Sequence, residues 1–170
     1  MLRHRNGETA AESMARSAAQ REAEASMANM TAHDLGLDPA SGGADQLYGW
    51  FLASLLFGRP VQQSVAADTW KVLIDHRLTS PARFAEYDRE GLRALLDEGH
   101  YARIDYVMTD ELHDVMRTIV SEHGSVSELV KNAESRAALK ATLLELKGVG
   151  PRTAEIFLRE VSDEVIGSAR

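Results

Sequence analysis

The chain has 170 residues, 44% of them hydrophobic, with no cysteine and a formal net charge of −7. That length suits one domain with some to spare, and the missing cysteine excludes disulfides, thiolate zinc sites, cysteine nucleophiles and cysteine-ligated iron–sulfur clusters. The net acidity argues against a broad basic surface, so any nucleic-acid site has to be local.

The opening residues, "MLRHRNGETAAESMARSAAQ", contain no long apolar core, so no signal peptide is expected and a cytoplasmic setting is the plain expectation. Residues 1–44 differ from the rest: Ala, Glu, Ser and Arg dominate "GETAAESMARSAAQREAEASMANM", and "DLGLDPASGGAD" reads as a loop or linker. Ala, Glu, Gln and Arg favour a helix, but one that buries little. The stretch therefore reads as a weakly packed helical or disordered N-terminal extension.

Residues 45–170 read as an all-α domain, a compact bundle of short helices. "QLYGWFLASLLFG" is apolar on nearly every face, as a central buried helix would be; it is too short to cross a bilayer, and no membrane partner is expected. Gly58-Arg59-Pro60 breaks it. "VQQSVAADTWKVLIDHR" spaces Val61, Val65, Thr69, Val72 and Leu73 at helical intervals. Ser80 and Pro81 signal a helix start, Asp88 a cap, and Gly99 a stop. "TDELHDVMRTIVSEHG" predicts a helix from Thr109 with Leu112, Val115, Met116, Ile119 and Val120 on one stripe, closing at Gly124. Ser125 or Ser127 is expected to cap a short helix, and "ESRAALKATLLEL" to bury Leu139, Leu143, Leu144 and Leu146. "VSDEVIGSAR" is expected to fray. Nothing has the alternation and β-branched density of a strand.

The stretch "LLELKGVGPRTAEIF" carries the functional reading. A helix should end at Leu146, turn through Lys147-Gly148-Val149-Gly150, and give way to a second helix at Pro151. Two glycines allow positive φ and leave room for something to approach the backbone. Their amides would gather at a helix N-terminus, an arrangement suited to a phosphate, with Val149 as the apolar pin of the turn.

"LKGVGPRTAEIFL" resembles a helix-hairpin-helix motif, departing from it at Lys147, where proline is commoner. With the helices before it, the order over residues 46–161 is similar to the endonuclease III-like DNA glycosylase superfamily. The resemblance implies an all-helical fold whose hairpin holds a backbone phosphate of double-stranded DNA, here through Lys147, Gly148, Val149, Gly150, Arg152 and Thr153. It implies a monovalent cation on the carbonyls of Leu144, Leu146 and Val149 as the one possible cofactor. Arg59 falls where the family inserts a polar residue into the DNA stack. A surface-loop arginine is the alternative there.

Between positions 136 and 159, Arg136, Lys140, Lys147, Arg152 and Arg159 outweigh Glu145 and Glu155. Lys147 and Arg152 read as phosphate contacts; Arg136 and Lys140 read as a solvated face. Where lyase members of the family carry a catalytic lysine, this chain has Arg152. A guanidinium stays protonated and cannot form a Schiff base. The family's aspartate, carried over by spacing, falls at or just past Arg170; Asp163 and Glu164 come too early. In "GHYARIDY", Asp105 is the candidate base, against a reading in which it pairs with Arg103 while Tyr101 covers the core edge. "DELHDVM" groups Asp110, Glu111, His113 and Asp114, but only Asp110 with His113 or Asp114 share a face, and the helix dipole explains the acidic first turn. The expectation is a duplex-binding protein related to base-excision-repair glycosylases. An active glycosylase or endonuclease with a rearranged carboxylate, and a protein-interaction or structural domain, are the alternatives.

Overall fold

Helix α1 (Ala44–Phe57) carries apolar residues on nearly every face. The computed structural model describes residues 30–101 and 106–170, within which Thr31–Arg170 form one compact unit. The further helices are α2 (Gln63–Asp75), α3 (Arg89–Glu98), α4 (Tyr106–Thr118), α5 (Val126–Lys131), α6 (Arg136–Glu145) and α7 (Pro151–Arg159). Short 3₁₀ turns cover His33–Leu35, Pro39–Ser41 and Pro81–Glu86, and a π turn, Ile119–His123, extends α4. There is no strand among the described residues. The extension expected over residues 1–44 lies, up to residue 29, outside them.

Every residue of α1 from Leu47 to Phe57 is buried. A helix with no polar face has to be surrounded, and α2, α5 and α7 pack against it. Its polar groups are used to fasten those neighbours. Trp50 Nε1 donates to the Phe157 carbonyl at 3.2 Å, and Trp70 Nε1 donates back to the Gly49 carbonyl at 2.9 Å. Tyr48 donates to the Leu78 carbonyl at 2.7 Å, and Tyr101 to the Leu56 carbonyl at 2.6 Å. The Phe51 and Phe157 rings meet edge-on, 5.6 Å between centroids.

The caps follow the sequence closely. Asp88, Ser125 and Ser135 accept from the backbone N–H of Gly91, Glu128 and Ala138, each contributing about 1 kcal/mol. Ser80 makes no cap bond, and Pro81 opens a 3₁₀ turn there.

Several expectations are corrected. Helix α4 starts at Tyr106, so Thr109 is a buried interior residue and not its first. Val120 is 43% exposed because the π turn adds a residue and rotates it off the stripe that Leu112, Val115, Met116 and Ile119 share. Leu139, Leu143 and Leu146 are buried at spacings of four and three, whereas Leu144 falls to one side and is 39% exposed. The C-terminal stretch is held down: Gly167 N–H donates to the Val130 carbonyl at 3.2 Å and Ala169 N–H to that of Lys131 at 2.9 Å, over buried Val161 and Val165. Of the expected 1–44 extension, residues 31–44 belong to the compact unit, with Ala32 and Pro39 buried and the Ala32 N–H on Glu160 Oε2 at 3.0 Å.

Candidate nucleic-acid interface

Helices α6 and α7 are joined by residues 146–150. The turn is closed by the Val149 N–H donating to the Leu146 carbonyl at 3.0 Å, and the Val149 side chain is buried beneath it. Gly148 takes φ +95°, which an L side chain adopts only with strain. Gly150 precedes α7 in extended conformation, and Pro151 supplies the first helical residue, where no donor is lost.

The amides of this turn are unspent. Among the described residues, no carbonyl accepts from the N–H of Lys147, Gly148, Gly150 or Arg152, and no side chain caps the start of α7. Lys147, Gly150, Pro151 and Arg152 are all exposed. Donors left free at a helix start, with the dipole behind them, favour an anion. No carboxylate pairs with Lys147 or Arg152 among the described residues.

The two glycines differ in why they are glycine. Gly148 needs its positive φ. Gly150 does not: its φ is −95°, and a β-carbon there would meet no atom of the described residues within 4 Å. Nothing among the described residues requires glycine at that position, so the open face suits a group from outside that comes close to the backbone.

Other candidate residues take different places. Thr153 is buried, and its side chain packs on Gly58 at the end of α1, so only its main-chain amide lies with the turn. Arg136 is a structural cap: Nε pairs with Asp163, while the terminal nitrogens donate to the carbonyls of Leu158 and Val161 at the end of α7. Lys140 and Arg159 are exposed on their helices. Leu146 O, one of the three carbonyls implied for a cation, already accepts from Val149, which leaves it one lone pair. Asp105 and Arg103 lie outside the described residues. Tyr101 is a core residue; burial pushes its phenol well above the ordinary value, and the Arg59 charge opposes this only in part.

Arg59 is linked to the hairpin through an acidic partner. Its guanidinium forms an ion pair with Glu111 Oε1 of α4, and both side chains are about a quarter exposed, 26% and 25%. The Glu111 stem lies along Gly148, its Cβ 3.4 Å from where a Gly148 β-carbon would stand. Sequence reading missed this use of Glu111. The signal was present in the register: Met108, Glu111 and Val115 are spaced three and four apart, which puts Glu111 at the edge of the buried stripe.

The rest of the acidic cluster is dispersed. Asp110 accepts from two nitrogens of Arg89, Nε and Nη2, each at 2.9 Å, and this pairing holds its carboxyl below the usual range. His113 Nε2 faces the carbonyls of Phe84 and Tyr87 at 3.1 and 2.9 Å, so this nitrogen carries the proton. Asp114 pairs with Arg117. The same face of α4 borders an apolar groove of about 490 Å³ between Pro81, Phe84, Tyr87 and Val120.

The chain matches no family model, no curated protein and no solved structure.

Proposed function

We propose that the chain is a duplex-DNA-binding protein that holds backbone phosphates on a helix-hairpin-helix formed by α6, the Gly148–Gly150 turn and α7. The observation that carries this reading is Gly150, a glycine with ordinary φ and open space beside it, among amides without acceptors. A phosphate seated there receives main-chain hydrogen bonds from the turn, and Lys147 and Arg152 supply the flanking charge. Such contacts position a duplex without reading its sequence. Binding should therefore be local, modest and sensitive to salt, as fits a protein of net charge −7.

The setting inferred from the motif is base-excision repair or a related DNA transaction. Amine-dependent lyase chemistry is no part of the reading, because Arg152 offers a guanidinium and no amine nucleophile at that place.

Retention of a fluorescently labelled duplex, titrated with salt, tests the proposal. Gly150→Ala should leave the thermal midpoint within a few degrees of wild type, since the methyl group meets no neighbour. The same change should weaken binding about tenfold by displacing charge-assisted hydrogen bonds. Absence of salt-sensitive retention of the wild-type protein at low salt would refute the reading and favour an interaction domain.

A further inference from the structure

We propose that Arg59 and Glu111 form an exchangeable ion pair beside the hairpin, in which Glu111 occupies Arg59 until a backbone phosphate of the bound strand takes its place. The inference rests on the duplex-binding reading above and adds to it a competitor built into the protein.

Three observations support the exchange. The backbone before Arg59 is closely packed, because Gly58 lies against the Ser54 carbonyl and Thr153 of α7. The guanidinium itself meets Glu111 of α4, whose stem lies along Gly148. Second, the Glu111 carboxylate that neutralises it lies against Gly148, with Oε1 3.7 Å from the position of a Gly148 β-carbon. A strand seated on the turn amides brings its own oxygens next to that carboxylate. Third, each side chain keeps about a quarter of its surface in solvent, though the paired Glu111 Oε1 itself is covered.

Two negative groups crowded against one hairpin repel each other unless the cation between them changes hands. A phosphodiester presents two free oxygens that suit the planar guanidinium as well as a carboxylate does. On exchange, Arg59 binds the strand and Glu111 turns to water. Breaking the ion pair offsets much of what the new phosphate bond contributes, so the wild-type protein binds less tightly than its basic residues imply. The salt dependence separates this cost from the contact itself. After the exchange Arg59 neutralises a phosphate and releases its counterions, whereas the lone carboxylate set free condenses almost none, so the bond still counts in the salt slope.

The test compares wild type, Glu111→Gln, Arg59→Gln and the double variant on one labelled duplex over a range of salt, with a thermal melt of each. Glu111→Gln is expected to tighten binding roughly fivefold and to leave the slope of log K on log salt at the wild-type value, since Arg59 meets one phosphate in both proteins. Arg59→Gln in that background should make the slope shallower by about 0.9, one phosphate's worth. Arg59→Gln alone should weaken binding, because Glu111 is then left facing the strand. Should Glu111→Gln melt early, Glu111→Ala must show the same tightening at unchanged slope. Weaker binding or a slope steeper by about 0.9 in both Glu111 variants, or an Arg59→Gln change that leaves the slope where it was, would overturn the exchange, leaving Glu111 as a strut for Arg59. That failure is distinguishable from failure of the binding reading, in which the wild-type protein itself is not retained at low salt.

Discussion

Gly58→Ala probes the seat of the hairpin directly. Gly58 has φ −74°, which alanine adopts freely, so backbone strain plays no part. The obstacle is space. A β-carbon there would overlap Thr153 Oγ1 and lie 3.1 Å from both Thr153 Cβ and the Ser54 carbonyl. Overpacking of this kind costs about 1–3 kcal/mol, while losing a glycine from the unfolded chain returns about 0.4–1 kcal/mol. The net expectation is a loss of about 1–2 kcal/mol, which for a unit of this size lowers the thermal midpoint by about 3–8 °C. Far-UV circular dichroism through thermal and urea unfolding reads both. Thr153→Ala removes the overlapping hydroxyl, so the double variant should recover about 1 kcal/mol relative to the sum of the singles. Gly58→Ala as stable as wild type, or strict additivity with Thr153→Ala, would mean that α1 and α7 do not meet as described.

Arg136→Ala should destabilise the domain by about 1–3 kcal/mol, since it strips donors from the Leu158 and Val161 carbonyls, yet leave the salt slope of duplex binding unchanged; a shallower slope would make Arg136 a phosphate contact. The phenols of Tyr48 and Tyr101 are both raised above their ordinary value by burial. A raised folded-state value means stability is complete below the unfolded value and falls as pH climbs from about 10 towards the folded one. Urea midpoints measured over that alkaline range should drop steeply, and less steeply in Tyr48→Phe/Tyr101→Phe; identical pH profiles would remove the two phenols as the cause.

How much of this was legible beforehand varies by element. The central helix was plain, because a run from Leu47 to Phe57 with no polar face has one possible environment. The caps at Asp88 and Ser125 were legible from local chemistry. The turn at Gly148 was legible from its glycine pair. The π turn was not: "TIVSEHG" reads as helix, and only packing decided that a residue is added before Gly124 and Val120 swings outward. The held C-terminus was missed because its bonds go to Val130 and Lys131, carbonyls at the end of a helix remote in sequence. The Arg59–Glu111 pair was missed for the same reason. Register places Glu111 at the margin of a buried face, but which cation waits across the gap depends on how three helices cross.

The chain's two tryptophans, Trp50 and Trp70, are sunk in the interior with their indole nitrogens tied to carbonyls of neighbouring helices. Their emission will follow the melting of α1 against α2 and α7 as a ready optical gauge of folding. The same placement keeps both chromophores off the exposed turn. Quenching of intrinsic fluorescence will therefore be nearly silent to a docked oligonucleotide, and a dye must ride on the nucleic acid for occupancy to be seen.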